Sequence, residues 1–227
     1  MNNVTSVSEL SFSELPFSEQ KLIELNAEDG FSSLVDGFNR ACEKFPDRPA
    51  FTCLGQTLCF SEIEQLSRQF GCYLLDHCGL VAGDRVAVQL PNISQFPIAV
   101  WGILRAGLVV VNTNPMYTAR EQLHQFNDSG AKALVVLSDL LPVTEQVIPQ
   151  TGVETVIATS AIDLLQPQPL AISSLPNLVG FTDALAMGAD KQLPERASAM
   201  SEVAVLQYTG GTTGPSKGAI LTHGNIF

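Results

Sequence analysis

Apolar residues recur along this chain at two spacings, and the change from one to the other divides it. Phe31, Leu34, Val35, Phe38, Cys42 and Phe45 fall on one helical face, and Pro46 ends the helix they predict. Pro49-Ala-Phe-Thr-Cys53 and Gln56-Thr-Leu-Cys-Phe60, joined around Leu54-Gly55, predict a hairpin. Ser61 with Glu64 predicts a capping box, opening a helix that carries Ile63, Leu66, Phe70 and Leu74 and stops at Gly79. From Val86 the pattern becomes regular. Short apolar strands at 86–90, 108–112, 132–137 and 153–158 alternate with helical stretches near 93–106, 119–129 and 139–150. Thr118 with Glu121 predicts a second capping box, and Ser138 with Pro142 opens the third helix. This βαβαβαβ order predicts an α/β fold, a doubly wound and mostly parallel sheet with right-handed crossovers.

Periodicity then fails. Residues 159–202 hold Gln166-Pro-Gln-Pro169, Ser173-Ser174, Pro176, Gly188 and Pro194, and predict a linker with one short helix near 181–187. The apolar run Val203-Ala-Val-Leu-Gln207 is expected to start a new sheet. The predicted organisation is an N-terminal arm over 1–30, a first α/β subdomain over 31–160, a linker over 161–202 and the start of a second α/β subdomain over 203–227. The arm is serine-rich and acidic, and no chemistry is assigned to it.

The candidate chemistry lies directly after that last strand, in Tyr208-Thr-Gly-Gly-Thr-Thr-Gly-Pro-Ser-Lys217-Gly-Ala219. Gly210, Gly211, Gly214 and Gly218 admit positive φ and let backbone N–H groups approach a ligand. Thr209, Thr212 and Thr213 add hydroxyls, and Lys217 adds a mobile positive charge. Glycine amides, hydroxyls and a cation together suit a polyanion, and a triphosphate is the natural guest. A Walker A loop is excluded, because Ser216 precedes Lys217, Gly218 follows it and Ala219-Ile-Leu-Thr222 reads as extended. The Gly-x-Gly-x-x-Gly dinucleotide spacing is also missing. A ligand-free glycine turn is the competing explanation, and the threonines and lysine argue against it. Asn112-Thr-Asn-Pro-Met-Tyr-Thr-Ala-Arg-Glu121 sits where a strand hands its carboxyl end to a helix, a usual ligand position, although a plain turn accounts for it as well.

Residues 208–223, Tyr-Thr-Gly-Gly-Thr-Thr-Gly-x-x-Lys-Gly-Ala-x-Leu-Thr-His, resemble the ATP-binding signature of the adenylate-forming (AMP-binding) superfamily. Gly210 and the Leu-Thr-His ending are most similar to the N-terminal part of bacterial long-chain fatty-acid–CoA ligases, and Val86–Pro91 and the 112–121 stretch extend the likeness to roughly residues 31–227. One departure is visible. Pro215 stands one place earlier than the family's proline, leaving Ser216 next to Lys217. The resemblance implies the large domain of an adenylate-forming synthetase, incomplete here, with the adenine, ribose and catalytic-lysine motifs lying beyond it. It implies ATP-dependent conversion of a long-chain fatty acid to acyl-AMP and then to acyl-CoA, with ATP, Mg²⁺ and coenzyme A taking part. Tyr208, Thr209, Gly210, Gly211, Thr212, Thr213, Gly214, Pro215, Ser216, Lys217, Gly218 and Ala219 are the implied ATP-binding residues, Lys217 also catalytic and Thr209 nearest Mg²⁺. A cytoplasmic enzyme, peripheral at the inner membrane and homodimeric, is the implied setting. A ligase for an aryl or short-chain acid and a non-catalytic nucleotide-binding or interaction module stay open as alternatives.

Composition narrows this further. With 227 residues, 45% of them hydrophobic, the chain can fill one large or two small cores. A net charge of -11 argues against non-specific binding to nucleic acid or to an anionic membrane, so a phosphate ligand must be held by local dipoles and Lys217 against the global field. The five cysteines, at 42, 53, 59, 72 and 78, are odd in number and too widely spaced for a zinc site, which predicts reduced, metal-free thiols. No secretion signal is read at the N-terminus, and the most apolar window, Phe96–Val111, is interrupted by Arg105 and Gly107 and too short to span a bilayer. His77 and His124 are read as ordinary polar or capping residues, His223 as a residue that shapes the nucleotide pocket, and Trp101 as core.

Overall fold

The computed structural model describes residues 30–170, 173–175, 177–209 and 216–226. The chain divides into two units, Met1–Ser32 and Ser33–Phe227. The expected arm falls almost wholly outside the described residues, and the helices and strands named here all belong to the second unit. Its first helix, α1, spans Leu34–Lys44 and starts three residues later than expected because Ser33 caps it, Oγ accepting from the Asp36 N–H at 3.1 Å. Strands β1 (Pro49–Cys53) and β2 (Gln56–Cys59) form the predicted antiparallel hairpin, turning through Leu54 and Gly55 at φ 50° and 81°.

Helix α2 spans Phe60–Asp76, and its cap differs from expectation. The chain turns helical one step earlier than the Ser61–Glu64 pattern suggests, so Glu62 accepts from the Cys59 N–H at 2.8 Å. Glu64 is instead the partner of Arg105, at 2.6 Å, and the same guanidinium donates to the Glu64 carbonyl and to Ser67 Oγ. A largely buried arginine thus commits its donors across the contact between two helices.

The regular region folds as predicted in kind: β3 (Arg85–Gln89), α3 (Gln95–Arg105), β4 (Val109–Asn112), α4 (Ala119–Ser129), β5 (Ala131–Leu137), α5 (Leu141–Val147) and β6 (Thr155–Thr159). Pro142 does lie in the first turn of α5, but Ser138 begins a separate 3₁₀ turn ahead of it and is not the cap. The 161–202 segment holds the expected helix, α6 (Phe181–Met187), and also a strand not expected, β7 (Leu178–Gly180), which adds to β6. Only three residues long, β7 is too short to show an alternation in sequence.

The larger correction concerns β8 (Val203–Thr209). It opens no new sheet. It pairs parallel with β4, and β9 (Lys217–Thr222) then pairs antiparallel with it, giving one seven-stranded sheet of order β7-β6-β5-β3-β4-β8-β9. A short helix, α7 (His223–Ile226), comes next. Periodicity reports that a segment is a strand but carries no information about its partner.

Alternate residues of the strands feed two cores. Val86, Val88, Val110, Val135 and Ile157 pack under α1, α2, α3 and α6, and Ala87, Val111, Leu134, Val136 and Val156 pack under α4 and α5. The β3-to-β4 connection runs one way across the sheet on the first face, and the β4-to-β5-to-β6 connections run the other way on the second, as a single crossover hand requires. Trp101 stacks on Phe38 with ring centroids 4.1 Å apart, a core role as expected. Among the described residues no helix is long and apolar enough to cross a membrane.

The first core is closed by backbone-to-backbone approaches that exclude side chains. A Cβ on Gly102 of α3 would lie 2.8 Å from the Ser67 carbonyl of α2, and one on Gly188, at the end of α6, would collide with the Gln69 carbonyl. Neither obstacle is a side chain that could swing aside. Gly188→Ala should therefore destabilise the fold by about 1–3 kcal/mol, the usual range for overpacking, seen as a lowered denaturation midpoint. An unchanged midpoint would mean that α6 does not rest on α2.

Candidate functional site

The candidate site is built on the β8–β9 hairpin at the carboxyl edge of the parallel strands. Thr209 pairs with Lys217 and Tyr208 with Gly218, so the two strands bring the flanks of the glycine-rich stretch face to face. Side chains opposite each other in an antiparallel pair share a face. Thr209 and Lys217, both exposed, therefore stand together, and Tyr208 and Gly218 occupy the other face. Gly210, Gly211, Thr212, Thr213, Gly214 and Pro215 lie outside the described residues. Ala219 is exposed on β9 opposite Gln207.

Tyr208 is 6% exposed and belongs to the core beneath α4. Its hydroxyl donates to Asp128 Oδ2 at 2.6 Å, and burial, helped by that carboxylate, pushes the phenol well above its ordinary pKa. It is a fixed neutral donor. Gly218 serves this ring. The sequence suggests a glycine that frees the backbone or admits a ligand, but Gly218 is part of β9, and a Cβ there would stand 2.9 Å from the Tyr208 ring. Ser216, the departure from the family pattern, accepts at its carbonyl from His124 Nε2, 2.8 Å away.

The neighbouring turn after β4 is held from within. Gln125 Nε2 donates to the Asn112 carbonyl at 3.0 Å, Gln89 Nε2 to the Asn114 carbonyl at 3.2 Å and Gln122 Nε2 to the Tyr117 carbonyl at 3.1 Å. All three glutamines are buried. Asn112 Nδ2 donates to Gln207 Oε1 at 2.9 Å, tying that turn to β8. The turn is thus a fixed wall beside the hairpin, at the end of the sheet where open α/β folds bind ligands. Sequence reasoning did not single out these glutamines, because a lone buried amide has no spacing signature.

A metal ion would find few ligands here. Among the described residues no group of three His, Cys, Asp or Glu gathers to hold one, and the Asp128 carboxylate is already engaged by Tyr208. Thr209 is exposed, and an ion such as Mg²⁺, which keeps its waters and is carried mostly by substrate phosphates, asks for few protein ligands. The five cysteines are free thiols, and burial pushes Cys42 up to about 11, far from a working nucleophile.

The family profile described as AMP-binding enzyme matches residues 38–227, which takes in the whole sheet and the hairpin. The chain belongs to that family. Within it, the chain is 42% identical over 213 residues to a long-chain-fatty-acid–CoA ligase of Escherichia coli O6:H1, covering 88% of this chain and 38% of that protein. It is 40% identical to the Haemophilus influenzae ligase of the same name, covering 95% of this chain and 40% of that one. The chain thus spans about two fifths of the length of these curated relatives. Among solved structures, a long-chain-fatty-acid-CoA ligase from Archaeoglobus fulgidus superposes with a TM-score of 0.67 at 29% identity, over 85% of this chain and 37% of that one. An anthranilate CoA ligase in complex with anthranoyl-AMP superposes with a TM-score of 0.73 at 18% identity, over 94% and 36%, and supports the family fold alone.

One histidine moves out of the site and another moves in. His223 follows Thr222, which pairs with Val203, six strand positions and roughly 20 Å from the Thr209–Lys217 end. It does not shape the hairpin's ligand side. His124, by contrast, touches the stretch itself.

His223 is 4% exposed with Nδ1 unpartnered, and burial lowers its pKa, Arg196 adding to the effect and Glu202 opposing it. A base whose folded pKa lies below its unfolded value near 6.5 costs nothing above that pH. As pH falls below about 6.5, the unfolded chain takes up a proton that the folded chain refuses, and stability is lost until the folded pKa is reached. Between pH 7.5 and 5.5 the unfolding free energy should fall, by at most about 1.4 kcal/mol per pH unit from this residue, with the denaturation midpoint falling alongside, and His223→Gln should flatten the slope. Equal slopes in both proteins would place the acid sensitivity elsewhere.

Proposed function

We propose that this chain supplies the triphosphate-holding part of an ATP-dependent long-chain fatty-acid–CoA ligase. The observation that carries the reading is the exposed Thr209–Lys217 pair facing one another across the glycine-rich stretch, at the carboxyl edge of the sheet. The name borne by the E. coli and H. influenzae relatives supports the fatty acid as substrate. In the first half-reaction a fatty carboxylate oxygen attacks the α-phosphorus of ATP, the bond to the bridging oxygen breaks, and pyrophosphate leaves with the electron pair. In the second, the coenzyme A sulfur attacks the acyl carbon, its proton is lost, and AMP departs.

Little covalent chemistry falls to the hairpin. Its work is positioning and charge neutralisation, with Lys217 Nζ against the β- and γ-phosphates and the amides and hydroxyls of Gly210, Gly211, Thr212, Thr213 and Gly214 around them. Tyr208, buried and neutral, and Gly218 serve from behind as the seat of the hairpin. Thr209 would hold Mg²⁺ through its hydroxyl, and the ion, when bound, supplies positive charge to the departing pyrophosphate. ATP and coenzyme A as co-substrates support a cytoplasmic location for the complete protein. An amphiphilic acyl substrate supports peripheral association with the inner membrane, and a homodimer is proposed with it.

Lys217→Ala in the complete protein should slow acyl-AMP formation ~10²-fold to 10³-fold, the usual cost of one preorganised electrostatic contact. Thermal unfolding without ligand should change by no more than about 0.5 kcal/mol, because the side chain is exposed. Thr209→Ala should raise the Mg²⁺ concentration needed. Both variants should still convert supplied acyl-AMP and coenzyme A, since pyrophosphate takes no part in that step. Pyrophosphate exchange and thioester formation, measured separately, decide the matter: a Lys217→Ala protein slow only in thioester formation would sink this reading.

A further inference from the structure

Helix α4 touches both flanks of the glycine-rich stretch from a single face. His124 and Asp128 stand four residues apart, one above the other on an α-helix, and they reach Ser216 and Tyr208, the residues on either side of 209–215. Resting on the triphosphate-site reading above, we propose that His124 is a positioning residue for ATP, acting through the Ser216 carbonyl.

Three observations carry this. The first is direction. Tyr208 packs on the α4 side of the hairpin and Thr209 and Lys217 project from the other, so a carbonyl held by His124 faces away from the side where phosphates would sit. Carbonyl oxygens carry partial negative charge, and one turned toward a polyanion would repel it. No peptide bond among the described residues is cis, so holding the Ser216 oxygen also fixes the direction of the Lys217 N–H at the start of β9.

The second is rigidity of the platform. At its start, Thr118 Oγ1 accepts from the Glu121 N–H while Glu121 Oε2 accepts from the Thr118 N–H at 2.8 Å. At its end, Gly130 takes the left-handed conformation at φ 61°, and Arg85 of β3 donates to the Ser129 and Gly130 carbonyls at 2.9 and 3.0 Å. A helix fixed at both ends holds its side chains to a set place, which is what a positioning group needs.

The third is chemistry. A carbonyl only accepts, so His124 must present Nε2–H. Glutamine can place an amide N–H at nearly the same reach, whereas alanine leaves the carbonyl without this donor. The position therefore requires a donor of a given length and not an imidazole as such.

The test uses the complete protein with His124→Ala and His124→Gln, measuring KM for ATP, KM for the fatty acid, pyrophosphate exchange, thioester formation from supplied acyl-AMP, and thermal unfolding without ligand. Loss of one neutral hydrogen bond should raise the KM for ATP about three- to tenfold in the alanine variant. The KM for the fatty acid, the thioester step and the unfolding midpoint should stay at the wild-type values, and His124→Gln should restore most of the ATP affinity. An unaltered KM for ATP in His124→Ala would overturn the proposal. So would a rise in both KM values accompanied by a lower unfolding midpoint, which marks a purely structural residue, or a glutamine variant as impaired as alanine. Lys217→Ala run alongside separates the two readings. If it slows pyrophosphate exchange while His124→Ala does nothing, positioning by His124 alone is wrong. If Lys217→Ala has no effect either, the triphosphate site itself is misplaced and the proposal falls with it.

Discussion

The parallel pairing of β8 with β4 is the contact on which the candidate site depends. The chain builds its sheet outward from β3 in both directions, leaves it at β7 on one edge, and crosses the first face through α6 to re-enter on the opposite side, beside β4. Because that re-entry is parallel, Thr209 emerges at the same end of the sheet as Asn112 and Gln89. An antiparallel entry would have delivered the glycine-rich stretch to the amino edge, where α/β sheets seldom bind ligands. What secures the register is the valine-rich interior of β4, buried on both faces, together with the Asn112–Gln207 amide bond at the functional end. A one-residue slip would exchange Tyr208 and Thr209 between faces, putting a phenol toward solvent and a hydroxyl into the core.

The hairpin then divides its two faces by task. Toward α4 it presents Tyr208 and Gly218, a large ring over a residue with no side chain, and this fit lets the sheet edge lie close to the helix. Toward the opposite side it presents Thr209 and Lys217, both exposed. Burial and hydrogen bonding are concentrated on one face so that charge and hydroxyl can remain free on the other. The same division appears in the turn after β4, where buried glutamines satisfy the backbone carbonyls from beneath.

How much of this the sequence announced depends on whether the deciding interaction was local. The Thr118–Glu121 box and the Leu54-Gly55 turn were legible because their partners lie within four residues. The Ser61–Glu64 pattern misled because a capping signature competes with whatever else its carboxylate can reach, and Arg105, 41 positions away, offered Glu64 a charged partner. The sheet membership of β8 was invisible for the same reason: alternation marks a strand, and its neighbour is set by a crossover that no local pattern encodes. Glycines 210, 211, 214 and 218 looked alike in sequence, yet the reason for Gly218 is an aromatic ring ten residues earlier. His124 and His223 show the limit most plainly. Motif proximity favoured the second, but an antiparallel strand carries it roughly 20 Å away while a helix folded across the sheet brings the first to the loop.

The charge of the chain places a further demand on this design. At a net charge of -11, the average field around the molecule repels a triphosphate. Arg85 and Arg105 are engaged by carbonyls and a carboxylate of the framework, so they contribute little free positive potential to a ligand. On the triphosphate reading, the attraction comes from short-range elements such as the exposed Lys217 and backbone amides, whose fields decay within a few ångströms but are strong at contact. Short-range attraction is useful only if its direction is fixed, because a dipole turned about repels as readily as it attracts. That makes the orientation of each peptide unit beside the loop count for more than it would on a basic surface. The contacts from α4 to Tyr208 and Ser216 are therefore where an acidic protein of this fold has most to gain from rigidity.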